Sequence, residues 1–117
     1  NYQDILDFWF APENQPSWFA KNDAFDQAIE KRFKTVLQSA SRSELWNWRS
    51  SAEGRLAEII VLDQFSRNLF RNSPLAFTHD ALALALAQEA ISQGLDQQLR
   101  PEQRSFLYMP FMHSESP

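Results

Sequence analysis

Apolar residues recur at three- and four-residue spacing along almost the whole chain, and no segment sustains the strict alternation of a half-buried strand. Ile5, Leu6, Phe8, Trp9 and Phe10 predict a short first helix that stops before Pro12, because the residue preceding a proline avoids the α region. Pro12 and Pro16 bracket a loop whose Trp18-Phe19 pair is the expected anchor to the core. A second helix is expected from Asp23 to Ser39, with Asn22 as N-cap and Phe25, Ile29, Phe33, Val36 and Leu37 on one face. Two Ser-x-x-Glu capping boxes follow. Ser41 to Glu44 opens a short helix carrying Trp46 and Trp48, and Ser50 to Glu53 opens a long apolar helix running to about Phe70. Ser73-Pro74 launches a fifth, alanine-rich helix that Gly94 ends. Pro101 opens a sixth, which Pro110 is expected to kink or stop. The fold class is therefore all-α: five to six helices joined by short connections into antiparallel hairpins.

Composition narrows the function. A chain of 117 residues supports one domain, spanning 1–117. Eleven basic against 15 acidic residues give a net charge of −4, which argues against nucleic acid or an anionic membrane as the main partner. No cysteine is present, so disulfides, thiolate nucleophiles and Cys-ligated zinc are out, as fits a cytoplasmic protein. Two glycines leave no glycine-rich phosphate loop, and no HExxH or other ready metal signature occurs. No cofactor and no metal are expected. The longest apolar-rich stretch, Ala81 to Ala87, is far too short to cross a bilayer. Phe106, Leu107, Tyr108, Met109, Phe111 and Met112 crowd the end of the sequence, and so apolar a segment needs covering. A natural continuation of the chain, or self-association with a second copy, is expected there.

The fourth helix carries the strongest chemical signal. It is apolar on almost every side from Leu56 to Leu62, the mark of a helix buried all round. Its last turns then place Asp63, Gln64, Arg67, Asn68 and Arg71 within an arc of about 140° at about 100° per residue. Asp63–Arg67, Gln64–Asn68 and Arg67–Arg71 are i,i+4 pairs that can touch. One carboxylate among two guanidiniums leaves an excess of positive charge on this arc. Two readings follow. The polar side chains form a satisfied structural network, with Arg67 paired to Asp63. Alternatively they floor a pocket in which Arg67 and Arg71 fork an anionic group while Gln64 and Asn68 read an amide. His79 and His113 are the remaining catalytic raw material. His79 and Asp80 are adjacent and point about 100° apart, so spacing does not make them a pair. His113 and Glu115 join Asp63 and Asp80 in a site only if the fold brings them together.

Several blocks resemble the bacterial family called domain of unknown function 924. They are Ile5 to Phe10, Trp18 to Lys21, Phe25-Asp26, Gly54 to Ala57, Asp63 to Arg71, Ala76-Phe77, Asp80 and Met109 to Glu115. The resemblance spans essentially the whole chain. It implies a helical fold related to the tetratricopeptide-like superhelices, and a continuation of tens of residues beyond the His-Ser-Glu block. It brings no activity. Its recurring polar positions correspond to Arg55, Asp63, Gln64, Arg67, Asn68, Arg71, Asp80, His113 and Glu115. The first expected function is a helical-hairpin module that binds a peptide or protein partner in a groove beside helices four and five. The alternative is a small-molecule enzyme or anion-binding protein, with the arginines orienting an anion and His113, Glu115 or Asp63 carrying protons.

Overall fold

The computed structural model of the protein describes residues 1–115, with side chains through Ser114. Its helices are α1 (Tyr2–Trp9), α2 (Asp23–Ser41), α3 (Ala52–Ile60), α4 (Ser66–Leu69), α5 (Asp80–Ser92) and α6 (Pro101–Glu115). Among the described residues there is no strand. Short 3-10 turns at Pro12–Ser17, Trp46–Ser50, Pro74–Phe77 and Leu95–Gln98 make the connections. No helix is long and apolar enough to cross a membrane among the described residues.

Local chemistry explains most boundaries. Asn22 Oδ1 accepts from the Phe25 amide at 3.1 Å and starts α2. Gly94 adopts φ +74°, a left-handed position just past α5 that glycine reaches without steric cost. Four expectations fail. Ser73-Pro74 opens only a 3-10 turn over Pro74–Phe77, and α5 begins at Asp80. Ser41 closes α2 instead of opening a helix, its hydroxyl donating back to the Gln38 carbonyl. Ser51, not Ser50, caps α3, accepting from Gly54 N at 3.0 Å. Helix α6 is not stopped by Pro110 but continues past it, and the proline is buried. The apolar face it shares with Phe106 and Leu107, each 1% exposed, outweighs the one missing N–H.

The long central helix is interrupted at its middle. Val61–Phe65 forms a π turn between α3 and α4, and all five residues are buried. Such a turn inserts one residue and rotates the downstream face relative to the upstream one, and it is frequent at functional sites. An aromatic cluster holds this rod in place. Phe65 packs on Phe33 at 5.4 Å and on Trp9 at 5.9 Å, and Trp9 meets Phe106 edge-on at 5.4 Å. Helix α6 thereby lies against α3 and α5.

A second device fixes α6. Tyr108 Oη donates to Asp96 Oδ2 at 2.6 Å, tying α6 to the turn after α5. This hydrogen bond holds the Asp96 carboxyl below its ordinary value and pushes the Tyr108 phenol up. A carboxyl depressed in the folded state adds stability above its unfolded value, about 3.9, which is lost as pH falls through the folded one. The raised phenol adds stability below about pH 10, lost as pH climbs further. Tyr108→Phe is therefore expected to flatten both limbs of a stability–pH curve. Urea midpoints measured from pH 2 upward check this, and parallel acid limbs would contradict it.

Candidate functional site

The π turn presents Asp63, 1% exposed, to three partners. Arg67 Nη1 donates to Asp63 Oδ1 at 2.9 Å and to the Asp63 carbonyl at 3.0 Å. Gln64 Nε2 donates to Oδ2 at 3.0 Å. His113 Nδ1 lies 2.7 Å from Oδ1, fifty residues away in sequence. Arg67 also grips Asp80, at the start of α5, with Nη1 and Nη2 each at 2.9 Å. Its guanidinium sits over the Phe77 ring, 5.3 Å from the centroid.

A second carboxylate anchors the next turn. Asp26 on α2 accepts from Asn68 Nδ2 at 2.8 Å and from Arg71 Nε at 2.6 Å. Hydrogen bonding to Asp26 raises the Arg71 guanidinium above its ordinary value, against a smaller opposing push from burial. Gln64, Arg67, Asn68, Arg71 and His113 then line a cleft of about 170 Å³, walled by Trp18 and Phe19. Trp18 is pinned by its indole N–H to the Trp9 carbonyl at 2.9 Å, while Phe19, stacked on Phe106, stays 74% exposed.

Seven of the nine residues singled out in the sequence thus gather in two neighbouring groups beside one cleft: Gln64, Arg67, Asp80 and His113 are joined through Asp63, and Asn68 and Arg71 through Asp26. Arg55 does not join them. It lies eight residues before Asp63, about 12 Å along the rod at about 1.5 Å per residue. There it donates to the Arg49 carbonyl and to Glu89, beside the pair that half-buried Arg49 makes with buried Glu58. The Glu115 side chain lies outside the described residues. His79 lines a separate cleft with Lys34, Leu37 and Phe70.

The charge balance read from helix four is corrected. Asp26 and Asp80 arrive from other elements, so three carboxylates face two guanidiniums and the excess is negative. Asp80 and Asp63 together occupy both terminal nitrogens of Arg67, which leaves no fork for an external anion. Asp26 is the residue that spacing could not find, since it lies 42 positions from Asn68. Its place in the Phe25-Asp26 block was the one available signal. Among the described residues, no cluster of three or more His, Cys, Asp or Glu could hold a metal ion.

Comparison with known proteins bears on the family and the fold. The profile of a family described as "Bacterial protein of unknown function (DUF924)" matches residues 5–117. A solved structure of a protein of unknown function from Agrobacterium tumefaciens is similar over 98% of this chain, with 41% sequence identity and a TM-score of 0.92. The chain spans 65% of that protein. No curated protein matches.

Proposed function

The chain belongs to this bacterial family of unknown function, and for it we propose a small-molecule site whose chemistry is proton transfer by His113, positioned by Asp63. The observation that carries the reading is the 2.7 Å contact between Nδ1 and a carboxylate that is 1% exposed. A carboxylate only accepts, so Nδ1 carries the hydrogen, and in the neutral ring Nε2 keeps a bare lone pair. Among the described residues Nε2 has no partner, and the ring lines the cleft. This is the base-and-orienter half of a catalytic triad, with bound water or a ligand N–H or O–H as the group to be deprotonated. The π turn that sets Asp63 in place supports the same reading.

His113→Gln keeps the size and polarity of the side chain but cannot take up a proton at neutral pH. Turnover of whichever small polar substrate a broad hydrolase and lyase screen returns is expected to fall about 10²- to 10⁴-fold in this variant. Unchanged turnover in a folded His113→Gln protein contradicts the proposal.

A second reading, a module of the tetratricopeptide-like kind for a peptide or protein partner, has one specific support. Phe19, Phe77 and Met112 are 74%, 60% and 62% exposed beside the cleft residues, an apolar rim larger than single scattered side chains would give. Short apolar peptides included in the same screen separate the two, since a partner in that groove would leave binding intact in His113→Gln.

A further inference from the structure

We infer that the cleft beside Asp63 is built to take a cationic nitrogen, such as a primary ammonium or a guanidinium, and this rests on the His113 reading above. The argument starts from what a carboxylate can do. Gln64 and Asn68 each carry an amide that presents either its NH2 or its oxygen to a neighbour. Each faces a carboxylate, Asp63 at 3.0 Å and Asp26 at 2.8 Å, so both NH2 groups are committed there and both oxygens are turned the other way. His113 follows the same rule, with Nδ1 held by Asp63 and Nε2 left as an acceptor. Three cleft side chains are thus fixed with acceptors outward by two carboxylates, Asp63 buried and Asp26 half-buried.

Gln64 and Asn68 are 6% and 7% exposed, and among the described residues neither Oε1 nor Oδ1 has a partner. Neither oxygen is among the fully buried unpartnered atoms, so each is open to whatever fills the cleft that both residues line. The carboxylate at the back of each group polarises it and makes the outward end more negative. Arg67 and Arg71 line the cleft themselves, but both are paired to carboxylates, and Asp26, Asp63 and Asp80 behind the lining outnumber them. The exposed face of Phe19 adds a ring against which a cation is favoured. An anion meets acceptors at three positions and arginines already tied to carboxylates.

Calorimetric titration of the intact protein with propylammonium, methylguanidinium, propanol and propionate at matched ionic strength tests the inference. At least one cation is expected to bind about tenfold or more tightly than the alcohol and the carboxylate. Phe19→Ala, which removes a largely exposed ring whose one face rests on Phe106, is expected to weaken the cation several-fold while the protein stays folded. His113→Gln supplies an acceptor of its own, so cation binding is expected to survive a substitution that removes proton transfer. Equal or absent binding of all four probes, or preference for propionate, overturns the inference without touching the role of His113. Cation binding alongside unchanged turnover in His113→Gln overturns the proton-transfer reading instead.

Discussion

Arg67→Leu is expected to cost about 3 kcal/mol of unfolding free energy, a drop of about 10 °C in Tm for a domain of this size. The reason is what the guanidinium leaves behind. Asp63 is 1% exposed and keeps only Gln64 Nε2 and the His113 ring, while Asp80 loses a two-pronged partner. An ionised carboxylate stranded in a dry interior is among the costlier defects a point mutation makes. Arg71→Leu serves as the contrast. Its pair with Asp26 is one-third exposed on the arginine side, so the loss should stay within about 1 kcal/mol. Urea unfolding followed by tryptophan fluorescence measures both. Equal losses for the two variants would show that the Asp63 network is not the buried brace described above.

Gly54→Ala is the second large effect, about 3 kcal/mol even though alanine is the better helix former by about 1. A Cβ at Gly54 would stand 2.0 Å from the Trp48 carbonyl oxygen and 2.9 Å from its carbon. These are backbone atoms, so no rotamer change relieves the clash. The displaced segment also presents the Arg49 carbonyl to Arg55 at 2.8 Å and carries Arg49 onto Glu58, which is fully buried. Gly94→Ala has open space around it and meets only the backbone strain of φ +74°, about 1 kcal/mol. Thermal melts of the two variants should rank in that order. A Gly54→Ala protein as stable as the parent would mean that α3 does not enter its turn so closely.

The sequence carried more of this architecture than of its site. Apolar spacing and end signals located the long helices, because Asn22, Gly94 and Pro101 act locally and their effect needs no tertiary partner, although Pro74 begins a 3-10 turn and not α5. Two features escaped for the opposite reason. Continuation of α6 through Pro110 depends on burial against other helices, and the π turn depends on how Val61–Phe65 packs on every side. Neither is a property of a short window. The polar stripe was visible as a stripe because Asp63, Arg67 and Arg71 repeat at four. Its charge was misread because a helix shows its own residues and not Asp26 on α2 or Asp80 on α5. The same limit hid the outward acceptors of Gln64 and Asn68, which are set by the carboxylates behind them.

The central claim, that carboxylates behind the lining turn acceptor ends into the cleft, is tested most directly at His113. Nitrogen-15 NMR of the imidazole reads which ring nitrogen holds the hydrogen. The account predicts that the neutral form of the ring holds its hydrogen on Nδ1 and none on Nε2, and that this preference is lost in Asp63→Ala, which offers no acceptor. A neutral ring with hydrogen on Nε2 in the parent protein, or an unchanged preference in a folded Asp63→Ala protein, would contradict it.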